Sequence, residues 1–291
     1  MTRIYFSVVN VVVTLFLFTK SDIKTTVLPV AKNKGFFAMA AAPMTNILRL
    51  PHVLFWIWLH LLQFDVSNQT INLEEDAINK KDRPIPSGRI TLNSAVILRW
   101  ALVPLCLALS TLYSAETVYA SIALVTFTLI YDEMHAHAGH WLVRNVVNAL
   151  GFASFEVGAS LIAGSNSHAL DADGVLSVLV SAGIIATTIH AQDFKDEDGD
   201  RAIGRRTVPI CFPAFARWTI VIPLIVWSFV LSTLWQLDTL MSCALTVLAI
   251  FIGGRYFFLR SVSGDQVSFY WYNVWLSIAH ALPGYYRIRH T

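Results

Sequence analysis

FWIWLHLLQF at 55–64, apolar enough for lipid or a deep core, runs almost directly into NQTINLEEDAINKKDRPIPSGR at 68–89. A second stretch repeats the contrast: DFKDEDGDRAIGRRT at 193–207 also follows a long apolar segment. Carboxylates and bases concentrated at the ends of two apolar segments predict a polar site at the rim of an apolar body.

The rest of the chain supports such a body. Of 291 residues, 55% are apolar and only 14% are Asp, Glu, Lys or Arg, against roughly a quarter charged in soluble domains. This is a membrane-class composition, and a formal net charge of +2 gives no footing for a nucleic-acid partner. Apolar blocks recur near 50–68, 93–110, 113–131, 141–164, 174–192, 208–230, 236–254 and 267–284. Each is close to the roughly 20 residues that cross hydrocarbon as a helix. One more span falls within 1–45, where Pro29 and the Lys32-Asn33-Lys34 break blur the boundaries. The spacing predicts an all-α polytopic membrane protein of about nine transmembrane helices, a single domain over 1–291. MTRIYFSVVNVVVTLFLFTKSD lacks a clean small-x-small cleavage site and reads as an embedded or membrane-surface helix. Cys106, Cys211 and Cys243 have no metal-type spacing and read as small core residues.

Charge placement orients the bundle. The connections near 68–92, 132–140, 193–207 and 255–266 hold Lys80, Lys81, Arg83, Arg89, Lys195, Arg201, Arg205, Arg206, Arg255 and Arg260. Those near 109–113, 164–173 and 231–236 hold no Lys or Arg. The asymmetry places both motif loops, 68–92 and 193–207, on the cytoplasmic side. The tail is the exception, because Arg287 and Arg289 then face the opposite side.

On a continuing helix Asn68, Asn72 and Asp76, four apart, share one face, with Glu75 beside them. Asp193, Asp196, Glu197 and Asp200 gather in the same way. Carboxylates so concentrated call for a hard divalent cation, and Mg²⁺ takes carboxylate and phosphate oxygens. The interleaved bases, Lys80, Lys81, Arg83 and Arg89 after one cluster and Arg201, Arg205 and Arg206 after the other, suit a diphosphate, whose oxygens Arg binds bidentately. With the diphosphate at the rim, a hydrocarbon tail lies between helices. Loss of diphosphate leaves an allylic cation that a water-poor chamber protects. Trp141, Phe155, Tyr270, Trp271 and Tyr272 are candidates for cation–π contact with it or for packing and interfacial anchoring. The plainer alternative is two solvated loops that serve topology.

The two stretches resemble the paired signatures of the UbiA superfamily of intramembrane aromatic prenyltransferases. The family pattern N-x-x-x-D-x-x-x-D followed by R-P-x-x-S-G-R is matched by Asn68, Asp76 and Arg83-Pro84-Ile85-Pro86-Ser87-Gly88-Arg89, with Asn72 where Asp is usual. The pattern D-x-x-D-x-x-G-D followed by G-x-x-T-x-P is matched by Asp193, Asp196, Gly199, Asp200, Gly204, Thr207 and Pro209. The resemblance implies nine transmembrane helices around a central cavity and a Mg²⁺-bound prenyl diphosphate. It makes Asn68, Asp76, Asp193, Asp196 and Asp200 the metal and catalytic positions, and Arg83, Arg201 and Arg205 diphosphate contacts. Asn72, Glu75, Lys80, Arg89, Tyr131 and His190 complete the substrate-binding set, Glu75 restoring the charge that Asn72 removes.

The loop YDEMHAHAGHWLVRN at 131–145 departs from the family, keeping Tyr131 but carrying His135 where Lys is frequent. Its histidines lack a companion Cys/His cluster, so a zinc site is not expected. His190 and Gln192 stand ready to orient a carboxylate or a water, and Glu156 falls inside a span, facing the cavity or a partner helix. The altered stretches resemble a fungal branch of the superfamily that includes membrane-bound class I terpene cyclases. Transfer of the prenyl group to a lipophilic, aromatic acceptor is the favoured expectation. Cyclisation of farnesyl diphosphate is the alternative, and a transporter or scaffold, with charges at midplane, is the third. The fungal likeness points to endoplasmic-reticulum membrane, with lipid as surrounding partner.

Overall fold

The computed structural model describes residues 2–22, 42 and 46–290, and every element in them is helical apart from one isolated bridge between His140 and Arg206. Among the described residues nine helices have the length of membrane spans: α1 (Thr2–Asp22), α2 (Leu50–Ile71), α4 (Leu92–Thr111), α5 (Ala115–Asp132), α6 (Trp141–Ala163), α7 (Ala172–Thr188), α10 (Trp218–Leu234), α11 (Thr239–Phe258) and α12 (Val262–His290). Short helices fill the connections: α3 (Leu73–Asn79), α8 (Glu197–Ala202) and α9 (Val208–Cys211), with a 3-10 turn at Ile189–Lys195. That number, among the described residues, matches the expectation of about nine. Pro29 and the Lys32–Lys34 break lie outside the described residues.

Among the described residues four segments, Leu92–Thr111, Trp141–Ala163, Ala172–Lys195 and Thr239–Phe258, are long and apolar enough to cross a membrane by length and composition alone. Among the other long helices, Trp218–Leu234 is apolar but shorter, and α2 carries polar groups that the bundle buries. α2 buries His60, Gln63 and Asp65, and His60 Nε2 meets Ser121 Oγ on α5 at 2.7 Å. Trp56 donates to Ser110 at 2.9 Å, and Trp275 donates to Ser228 at 2.9 Å. Such bonds join helices where lipid offers no competing partner. Packing is close enough that a Cβ at Gly158 would fall 2.2 Å from the Trp56 ring.

Three expectations are corrected. The span read at 208–230 starts ten residues later, because Pro209 and Pro213 confine 208–217 to a short helix and turns. The loop read at 255–266 shrinks to 259–261, since Arg255 sits in the last turn of α11 and Asp265 in the first of α12. Cys106 is buried as read, but Cys211 and Cys243 are exposed.

The tail exception has a structural reason. Arg287 donates to Asp171 at 2.6 Å, and Tyr285 donates to Asp238 at 2.7 Å, with Arg289 beside it. The tail therefore lies on the side of the connections at 164–171 and 235–238, opposite the motif loops, with its guanidinium groups matched by carboxylates.

Candidate active site

The mouth of the bundle is assembled from the two motif stretches. α2 does not run on through Asn72: φ −96° and ψ 43° there end it, and α3 restarts at Leu73. The i→i+4 backbone bonds persist across the break, Asn72 N to Asn68 O at 3.0 Å and Asp76 N to Asn72 O at 3.1 Å. The shared face read for Asn68, Asn72 and Asp76 is thus bent rather than continuous. Asp76 turns inward and is buried, and one Nη of Arg83 reaches both its oxygens at 2.7 Å. The turn that brings Arg83 back depends on Pro84 and on Gly88, whose φ of +72° only glycine adopts freely.

The second stretch reaches the mouth through the 3-10 turn. Asp193 is buried and receives both Nη groups of Arg144, Nη2 to Oδ1 at 2.8 Å. Asp200 on α8 accepts from Arg205 at 3.0 Å. Burial pushes the Asp200 carboxyl up to about 6, with Arg205 pulling it down. Asp196 pairs with the neighbouring Lys195 at the rim. Asn68 donates to Asp132 Oδ1 at 3.1 Å, and Ser67 donates to Oδ2 at 2.6 Å.

Of these groups Asn68, Arg83, Arg144, Asp193, Asp196, Asp200 and Arg205 ring a cavity of about 240 Å³, whereas Asp76, expected as a metal position, is buried behind Arg83 and does not line it. Its polar lining includes Asn68, Lys80, Arg83, Arg144, Gln192, Asp193, Asp196, Asp200 and Arg205; its apolar and aromatic lining includes Phe64, Phe127, Tyr131, Phe152, Phe155, Phe269 and Tyr272. Along α12 the lining runs from Phe269 to His280, eleven residues or about 16 Å of helix rise. The geometry is a cationic rim over a long apolar chamber.

Not every sequence candidate lines it. Arg89 is exposed beyond the Gly88 turn, and Arg201 is exposed and pairs with Glu197 at 2.8 Å within α8. Asn72 turns back to the Asn68 carbonyl at 3.2 Å. Glu75 lies on α3, and its side chain falls outside the described residues. His190 accepts from Asn145 at its Nδ1, 3.3 Å, so Nε2 is left to donate to Thr219 at 2.8 Å; the ring ties α6 to α10. Tyr270 and Trp271 are exposed on the outer face of α12, and Trp141 packs on Phe212, so of the five rings considered only Phe155 and Tyr272 line the chamber.

Arg144 was missed. Its signal was present, for it is the one Lys or Arg within the span read at 141–164, and a charge in a span faces the bundle interior. Asn148, Asn273 and His280 also line the cavity, single polar residues in apolar runs.

The oxygen donors at the mouth suit a hard cation. Among the described residues no three His, Cys, Asp or Glu side chains form a cluster able to hold a metal, and Asp193 and Asp200 face guanidinium groups. Mg²⁺ usually binds through one or two carboxylates, water and ligand phosphates rather than through an all-protein cage. Asn68, Asp193, Asp196 and Asp200 are the lining donors available to it.

The family model for the UbiA prenyltransferase family matches residues 33–277. The fumagillin beta-trans-bergamotene synthase of Aspergillus fumigatus is 34% identical over 281 residues, 95% of this chain and 93% of that protein. A diterpene cyclase of Hericium erinaceus is 30% identical over 230 residues, 76% of this chain and 72% of the cyclase. The structure of a UbiA homolog from Archaeoglobus fulgidus bound to DMAPP and Mg²⁺ superposes with a TM-score of 0.65 over 92% of this chain and 98% of that one; at 14% identity the likeness speaks to the fold.

Proposed function

The chain belongs to the UbiA prenyltransferase family and is an integral multi-pass membrane protein, and from that premise we propose that it is a membrane-bound class I terpene cyclase acting on farnesyl diphosphate. The observation that carries the reading is the near full-length similarity to a terpene synthase, 34% over 95% of the chain. It reverses the order of the two readings made on sequence, where transfer to an acceptor stood first.

The rim supplies the ionisation step. Arg83, Arg144, Arg205 and Lys80 hold the diphosphate and stabilise the charge that grows on its oxygens as the allylic C–O bond breaks. Bound Mg²⁺, held by Asn68, Asp193, Asp196 and Asp200, would add Lewis-acid stabilisation of the leaving group. Arg144 and Arg83 reach the diphosphate while still countering Asp193 and Asp76, which keeps buried carboxylates from standing alone.

The chamber governs the fate of the allylic cation. Its aromatic faces stabilise positive charge, and its apolar wall keeps water from quenching it. Tyr272 is fixed there by its hydrogen bond to Thr188, 2.8 Å, and Phe155 by an edge contact with Trp56. A chain folded against these walls brings its own distal alkene to the cation, so no second substrate is required.

The test is turnover without an acceptor. Protein in detergent or membranes with Mg²⁺ and farnesyl diphosphate is expected to give a cyclic C15 hydrocarbon, lost in Asp193→Ala. Turnover that appears only when an aromatic acceptor is added, with a prenylated product, would restore the transferase reading.

A further inference from the structure

Behind Asn68 stands a carboxylate that the ionisation chemistry above does not use. Asp132 ends α5, is fully buried and does not line the cavity. Two neighbours on α2 close on it: Ser67 donates to Oδ2 at 2.6 Å, and Asn68 Nδ2 donates to Oδ1 at 3.1 Å. A buried carboxylate is costly unless its oxygens are bonded, and here both are.

The surrounding helices fix where that carboxylate stands. Arg99, buried on α4, pairs with Glu133 just past Asp132 and reaches the Thr70 hydroxyl on α2 at 3.5 Å. The end of α5 is thereby held against α2 and α4, beside Asn68.

Bond direction decides which end of the Asn68 amide meets the mouth. A carboxylate oxygen accepts, so the atom turned toward Asp132 is the amide nitrogen, and the acceptor left on the other branch is Oδ1. Among the described residues no donor reaches Asn68 Oδ1, and Asn68 lines the cavity. Rotated by half a turn, the same amide would set oxygen against oxygen at Asp132 and offer N–H groups to the mouth. A hard cation takes oxygen ligands, so an asparagine has a right and a wrong face for it, as an aspartate does not. Asn72 shows the contrast: its amide turns back to the Asn68 backbone carbonyl at 3.2 Å.

Resting on the Mg²⁺ and diphosphate part of the reading above, we propose that Asp132 is a positioning residue that holds the Asn68 amide with its oxygen toward the mouth and so sets the affinity of the mouth for a divalent cation. Ser67 holds the carboxylate in turn. Asp132 acts by accepting a hydrogen bond rather than by its charge.

The experiment reads cation binding without turnover, as thermal midpoints of the protein in detergent across a Mg²⁺ titration with inorganic diphosphate. Removing the partner that orients a metal ligand typically costs about 10–100-fold in affinity, so half-saturating Mg²⁺ is expected to rise at least about tenfold in Asp132→Ala. Asp132→Asn keeps an oxygen that accepts from Asn68 while its NH₂ turns to the Ser67 hydroxyl, and it should titrate nearly as wild type does. In Asn68→Ala the amide is gone, so adding Asp132→Ala should raise half-saturation no further, the non-additivity of two residues that act as one unit. An Asp132→Ala titration that overlays wild type overturns the assignment. So does an Asp132→Asn variant weakened as much as Asp132→Ala, because the role would then be one of charge. If Asp132→Ala does not fold, Asp132→Leu, which fills the space without an acceptor, decides by the same titration. Either overturning result leaves the Mg²⁺ and diphosphate reading standing. A wild-type midpoint that Mg²⁺ with diphosphate does not move removes that reading and this assignment with it.

Discussion

Both sides of the membrane carry Asp–Arg pairs, and burial separates their roles. At the motif side Asp76, Asp193 and Asp200 are 1%, 1% and 3% exposed, and their partners Arg83, Arg144 and Arg205 line a cavity. On the opposite side the Asp171 and Asp238 side chains are 46% and 43% exposed, holding Arg287 and Arg289 against surface turns. Exposed pairs are screened and contribute little, whereas a buried pair holds two costly charges that persist only with a partner or a ligand. The same residue types thus fasten the tail at one end and hold cations ready at the other.

The comparison is broken most severely at Arg144. Arg144→Ala strands the buried Asp193 carboxylate, and a loss of about 3–5 kcal/mol is expected, read as a large drop in thermal midpoint in detergent together with loss of diphosphate release. A midpoint near wild type would mean that Asp193 is not held as a buried charge. Arg83→Lys keeps the charge but not the planar fork. Turnover is expected to fall by roughly tenfold, with stability changed less than in Arg144→Ala.

Arg287→Ala, on the opposite side, should cost below about 1 kcal/mol and leave turnover unchanged; a loss comparable to that of Arg144→Ala would erase the distinction between the two sides. The smallest effect is acid dependence. The hydrogen bond from Arg287 holds the Asp171 carboxyl below the usual carboxylate range, with burial opposing it. Its stabilisation is present above the unfolded value, about 3.9, and fades as pH falls through the lower folded value. Thermal midpoints measured below about pH 4 should therefore converge for wild type and Arg287→Ala. A gap that widens in acid would contradict the pairing.

Much of this was legible in the chain because lipid leaves few choices. Apolar blocks of spanning length gave the helices, and the loop asymmetry grouped both motif stretches on one side. What the sequence hid was mostly the work of breaks and partners. Spacing of four put Asn68, Asn72 and Asp76 on one face, but the turn at Asn72 bends that face and sends Asp76 behind Arg83. Pro209 and Pro213 shortened a span that hydropathy alone extended. His280 sits in the apolar run NVWLSIAHAL, and its hydrogen-bond partner Ser181 lies 99 residues away, bonded in turn to Glu156. No local pattern joins them. Arg144 is the exception, the one base in its span, whose meaning was readable from the cost of burying it.

The central claim is that charge created at the rim is consumed inside the same chamber. It is tested most directly by stoichiometry: diphosphate and cyclic hydrocarbon counted in one acceptor-free reaction of the wild-type protein with farnesyl diphosphate and Mg²⁺. The account predicts one cyclic olefin for each diphosphate released. Diphosphate released with farnesol as the matching product, or no release until an acceptor is supplied, would contradict it.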